Sequence, residues 1–147
     1  MSHWPPDVSS AARTELETTL GLALHAAETM LEECEPIPPV AVRIDRVSGE
    51  REIAFGHTAT QEVGEAFELI WADLGREAEG LQCVAVAASA KAVGNGKAES
   101  IVYVVVEHRD GHTVKAVLPY QRRRRLTRHK VIPGALTITP HQGRIWQ

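Results

Sequence analysis

The run Ser100-Ile101-Val102-Tyr103-Val104-Val105-Val106-Glu107 constrains this chain more than any other segment. β-Branched side chains lose rotamer freedom in a helix and fit the pleated surface of a sheet. The run is also far shorter than the ~20 apolar residues a membrane-spanning helix needs. It therefore reads as a strand. Asp110-Gly111 follows within three residues, and Thr113 to Tyr120 supplies a partner strand, so the pair forms a hairpin.

A two-residue Asp110-Gly111 loop would set the register. Arg109 would face His112, Glu107 would face Val114, Val105 would face Ala116 and Tyr103 would face Leu118. That face is apolar on both strands and is expected to pack on helices. On the opposite face His108 would meet Thr113, Val106 would meet Lys115 and Val104 would meet Val117. Val102, Val104, Val106 and Val117 make this second face apolar as well, although Lys115 and Thr113 interrupt it. Its cover is expected to come either from a symmetric partner or from the C-terminal tail. Val102, Val104, Val106, Lys115 and Val117 are thus a candidate interaction surface, with Trp146 as the anchor of the tail, since large aromatics fix termini and enter interfaces.

The rest of the chain supplies helices. Ser9 or Ser10 can cap a helix over about 10–34, where Leu16, Leu20, Leu24, Ala27, Leu31 and Cys34 recur at helical spacing. Pro36, Pro38 and Pro39 end it. Val40–Asp45 and Arg51–Phe55 read as a hairpin around Ser48-Gly49-Glu50. Thr58-x-x-Gln61 has capping-box spacing, with Thr60 a competing cap, before the apolar stripe Val63, Phe67, Ile70, Leu74 and Ala78, flanked by Trp71. Leu81–Ala92 is a Val- and Ala-rich strand, and Gly94-Asn95-Gly96 is a turn. The expectation is one α+β domain over residues 9–147, after an irregular arm at 1–8. It holds an antiparallel five-stranded sheet with two helices on one face, in the order αββαβββ, and a short C-terminal strand at 135–139 or 144–146.

Charge is unevenly placed. Residues 1–114 hold all 19 acidic side chains and eight of the 16 basic ones, while residues 115–147 hold the other eight and no acid. The basic loop 121–133 concentrates them as Arg122, Arg123, Arg124, Arg125, Arg128 and Lys130. These side chains could contact phosphates of a nucleic acid, or pair with acidic residues of the first helix, Glu28, Glu32, Glu33 and Glu35, in the same or a neighbouring chain. The loop has no interleaved aromatic for base stacking.

Machinery for catalysis is missing from the pattern. Cys34 and Cys83 make no C-x-x-C pair, and His108 and His112, the one pair of the seven histidines at H-x-x-x-H spacing, would flank a hairpin on opposite faces, so no metal or cofactor is expected. No serine lies in a G-x-S-x-G elbow. Gly94-Asn95-Gly96-Lys97 lacks the spacing of a phosphate loop. An enzyme would need a pocket gathering His57, His108 or Tyr120 with a carboxylate, such as Asp73 or Glu62 beside His57. The Met1-Ser2-His3-Trp4-Pro5-Pro6 start has neither the basic nor the apolar region of a signal peptide, and two free thiols suit a reducing compartment. A cytoplasmic location without membrane contact is expected.

The order of elements resembles the profilin-like and roadblock-type folds. The segments Pro38–Asp45, Glu107-His108-Arg109-Asp110-Gly111, Leu118-Pro119-Tyr120 and Gly143-Arg144-Ile145-Trp146 look like those of a class of small bacterial proteins, a resemblance that implies no activity. The expectation for function is a non-enzymatic protein–protein interaction module acting as a homodimer. The alternative is a nucleic-acid-associated protein that uses Arg122–Lys130.

Overall fold

The structure, a computed structural model, describes Trp4 and residues 6–56, 63–94 and 96–146. His3, His57, Glu62 and the capping signals at Thr58, Thr60 and Gln61 lie outside the described residues. The elements are α1 (Ser10–Leu31), β1 (Val40–Asp45), β2 (Arg51–Phe55), α2 (Val63–Arg76), β3 (Leu81–Gly94), β4 (Lys97–His108), β5 (Thr113–Arg124), β6 (His129–Pro133) and β7 (Thr137–Pro140). The α+β class and the two helices match expectation. The sheet has seven strands rather than five, in the order β2-β1-β3-β4-β5-β6, with β7 also paired to β5. All pairings are antiparallel.

Ser9 caps α1, its hydroxyl accepting from Ala12 N at 3.2 Å. The helix buries Leu16, Leu20, Ala23, Ala27 and Leu31 against Val40 and Val42 of β1, Cys83, Ala85 and Ala87 of β3, and Val102, Val104 and Val106 of β4. Alanines on both sides of this contact let helix and sheet approach closely.

The second helix does not share that face. Phe67, Trp71 and Leu74 of α2 pack on Leu81, Val84, Val86, Ala88 and Val105, with Tyr103, Ile145 and Trp146 at the margin. Residues 83–88 therefore alternate between two covered faces, and every one of them is fully buried. An apolar run without alternation is the signature of a strand covered on both sides. The molecule has three layers, with α1 and α2 on opposite faces, and the expectation of both helices on one face is corrected accordingly.

The β4–β5 register is corrected too. Val106 faces Val114, Val105 faces Lys115, Val104 faces Ala116 and Tyr103 faces Val117. The turn takes three residues, Arg109–Gly111. Gly111 N donates to His108 O at 2.9 Å and His108 N donates to His112 O at 2.8 Å, with Gly111 at φ 99°. A left-handed residue after the turn adds one position to the loop, and a one-residue slip turns every side chain of β5 over. Ala116 and Leu118 thereby join Val102, Val104 and Val106 under α1, and Lys115 moves to the other face, where its ammonium lies 5.7 Å from the Tyr103 ring centroid.

The basic loop is a second hairpin. Arg122 pairs with Val131, Arg123 with Lys130 and Arg124 with His129, so only Arg125–Arg128 form the turn. The short C-terminal strand lies at Thr137–Pro140, and Arg144-Ile145-Trp146 is irregular. Among the described residues, no helix is long and apolar enough to cross a membrane.

Candidate interaction surfaces

Of the expected interaction surface, Val102, Val104 and Val106 are fully buried under α1. They cannot meet a partner while the chain is folded. The puzzle that suggested an uncovered face, a lysine amid valines, came from the register. Lys115 and Val117 are half-buried on the α2 side, beside Tyr103.

Trp146 is half-buried against the α2 layer, and a buried acid holds the tail there. Glu107 is fully buried in β4. Its Oε1 accepts from Arg144 N at 2.8 Å, and its Oε2 accepts from Ile145 N at 2.8 Å and Trp146 N at 2.5 Å. Three backbone donors satisfy a carboxylate whose burial would otherwise be prohibitive. The Arg144 guanidinium lies 5.6 and 5.5 Å from the ring centroids of Phe67 and Trp71 and pairs with Glu68 at 2.7 Å. Arg109 donates to the carbonyls of Ala78 and Leu81 and lies 5.9 Å from the Trp146 ring. Sequence reading named Trp146 but missed Glu107. Its signal was a lone acid at the end of an all-apolar strand.

The β5–β6 hairpin divides its cations into two groups. Arg122 is structural: Nε donates to Leu31 O at 2.8 Å, and Nη1 lies 3.7 Å from Glu35. His129 N donates to Glu32 O at 2.8 Å, and Arg128 reaches Glu32 and Glu33 at 3.4 and 3.6 Å. These contacts satisfy carbonyls that the end of α1 leaves without intrahelical partners, and they place cations at its negative pole. The expected pairing with the acidic first helix thus involves Arg122 and Arg128. Arg123, Arg124, Arg125 and Lys130 are exposed and, among the described residues, have no acidic group within 4 Å. Leu126 at the turn is wholly exposed.

The opposite end of the sheet is the outer edge of β2. Ile53 and Phe55 stand 42% and 50% exposed there, with Leu69 of α2 at 51% and Val47 of the β1–β2 turn at 94%. Between β1, β2 and α2 lies a cleft of about 480 Å³, lined by Ala41, Ala54, Phe55, Ala66, Leu69, Ile70 and Leu74, with Arg43 and Asp73 among its polar walls. The sequence shows β2 as a strand, but not that it ends the sheet.

Among the described residues the titratable side chains fall into two groups, Tyr120 with Glu35 beyond the C-terminal end of α1, and His108 with Glu15, Asp110, His112 and Asp7 near its other end. Tyr120 donates to Glu35 beyond the C-terminal end of α1, and burial together with that carboxylate pushes its hydroxyl above the ordinary tyrosine range. His108 is buried near the other end of α1. Its Nδ1 accepts from Asp110 N at 3.0 Å, which leaves Nε2 to donate to Glu15 at 3.1 Å. His112 bridges Asp7 (3.1 Å) and Asp110 (3.0 Å). Cys83 sits beside Glu15 and burial pushes its thiol up to about 12, whereas Cys34 lies at the far end of α1; both are free. Among the described residues, no group of three or more His, Cys, Asp or Glu could hold a metal ion.

Comparison with protein-family models, curated proteins and solved structures finds no match to this chain.

Proposed function

We propose that the chain is a non-enzymatic protein–protein interaction module that acts as a homodimer through the outer edge of β2. The observation that carries this reading is the concentration of exposed apolar side chains along a strand edge that is unpaired among the described residues. Six large apolar side chains are exposed among the described residues: Val47, Ile53, Phe55, Leu69, Val93 and Leu126. The first four border β2. An edge strand offers unpaired N–H and C=O groups, and proteins ordinarily blunt such edges with charges, proline or a bulge.

A second copy suits this edge because a two-fold axis lets one strand serve both partners. An axis through Ile53 pairs all five residues of β2 with their counterparts. Ile53 then meets Ile53, and Arg51 meets Phe55, a cation over an aromatic face. Arg51, Ile53 and Phe55 share the face of Ile44, Val42 and Val40, so the apolar layer under α1 would run on into the partner.

Light scattering after size exclusion at tens of micromolar tests the reading. Twice the chain mass of 16.1 kDa is the expected result, and I53K should return the protein to one chain with its melting temperature little changed. A monomeric parent protein removes the proposal. A dimer that survives I53K removes the β2 edge as its interface.

A further inference from the structure

The β5–β6 hairpin, at the opposite end of the sheet from β2, carries four exposed cations without an acidic partner among the described residues. Its two faces are chemically distinct. Strand alternation places Arg122 and Arg124 on the side of α1, and Arg123 with its cross-strand partner Lys130 on the other side. Arg125 stands at the turn. The acidic end of α1 holds Arg122 on β5 and Arg128 in the turn, so the ribbon is tied down along its α1 side, and Arg123, Arg124, Arg125 and Lys130 have no acidic partner among the described residues. Leu126 projects between Arg125 and Arg128, wholly exposed.

We infer that this hairpin is a binding arm for duplex nucleic acid, gripping phosphates with Arg123, Arg124, Arg125 and Lys130 and offering Leu126 to the base steps. Three features favour a duplex groove. A two-stranded ribbon fits a duplex groove, where phosphates flank it on both sides. Cations on both faces and at the tip match that geometry, whereas a flat membrane or protein surface meets only one face. A single apolar residue at a cationic tip suits a wedge between base steps, while membrane anchoring needs a broader apolar face. Recognition would be electrostatic and largely independent of sequence.

Charge placement agrees with this reading. The chain has a formal charge of −3, so it lacks a general attraction for polyanions, and the force must come from the local concentration of cations beyond residue 114. A polar hollow of about 650 Å³ at the base of the ribbon is lined by Ser100, Gln121 and Arg123 but also by Glu99, so the phosphate contacts are placed on the exposed cations of the ribbon and not in this hollow.

Fluorescence anisotropy of a labelled 20-base-pair duplex, titrated with the full chain between 50 and 200 mM salt, tests the inference. Each phosphate contact contributes about −0.9 to the slope of log K against log salt, so four cations predict a slope near −3.6 and roughly 150-fold weaker binding across that range. The variant R123Q/R124Q/R125Q/K130Q should lose most of the binding at 50 mM salt. Its melting curve should stay at the parent's, because these four side chains make no ion pair among the described residues. L126A should keep the salt slope and lose several-fold in affinity for the duplex, with no loss for heparin. No binding at 50 mM salt, or equal binding by the four-fold variant, overturns the proposal. Capture by phosphatidylserine vesicles without duplex binding overturns it in favour of a lipid surface. Equal duplex affinity of L126A removes the wedge. None of these results bears on the β2 edge, which lies at the other end of the sheet.

Discussion

Glu107 and Gly143 touch so closely that a Cβ on Gly143 would fall 2.7 Å from the Glu107 Oε2 and 2.9 Å from the Thr113 Oγ1. Glycine is required there by close approach: the backbone must come near enough for three successive amides to reach one carboxylate. Gly143→Ala should therefore lift the tail, lowering the melting temperature and exposing Trp146 to aqueous quenchers. Glu107→Ala leaves buried backbone donors unpaired at a cost of about 1–3 kcal/mol each, so a loss of roughly 3 kcal/mol in urea unfolding is expected. A Gly143→Ala protein as stable as the parent would show that the tail is not seated on Glu107.

His112 makes stability depend on pH. The hydrogen bond to Asp7 leads in raising its pKa, burial opposes this, and the Asp110 carboxylate adds to the rise. A group whose folded pKa is raised stabilises the protein fully below its unfolded value, ~6.5 for histidine, and loses that contribution as pH climbs through the folded value. Asp7 moves the opposite way, lowered chiefly by its bond to His112. The melting temperature should fall as pH rises above about 6.5, and His112→Gln should flatten that step. An unchanged step in His112→Gln would assign it to another group.

Arg122 and Arg124 sit two residues apart on one strand face and should respond differently to truncation. Arg122→Ala removes the donor to Leu31 O and uncovers the end of α1, for an expected cost of about 1–2 kcal/mol. Arg124→Ala touches no partner among the described residues and should fall within about 0.5 kcal/mol of the parent. Chemical denaturation of the two variants side by side checks this. Equal losses would mean that the hairpin is held by charge alone.

The helices and most strands were legible because their signals are local. Helical periodicity placed α1, serine capped it, and the valine run placed β4. The errors arose where one residue decides a global outcome. Whether Gly111 completes a two- or a three-residue turn is set by a single backbone angle, yet it turns over the whole face of β5 and decided which valines looked uncovered. The apolar stretch at 81–88 did carry the right information, since it lacks alternation and so calls for cover on both faces. The error was to assume that two helices must share a face. Glu107 looks in sequence like the polar end of a strand, because nothing nearby announces that amides 37 to 39 residues later will reach it. The β2 edge was illegible for a related reason: sequence shows that a strand exists, not that its neighbour is missing.

Strand order has a consequence for distance. A sheet continued across β2 into a second copy would carry twelve strands in the hydrogen-bonding direction, with β6 outermost at both ends. At about 4.8 Å per strand, the two outermost strands would stand on the order of 50 Å apart, and the two-fold would turn their cationic tips to opposite ends of the sheet, farther apart still. One turn of B-form duplex repeats at about 34 Å, so the tips would not fall on successive turns of a straight duplex. If both proposals hold, such a sheet would act as a spacer, and its geometry would favour holding two duplex segments apart over gripping one from end to end.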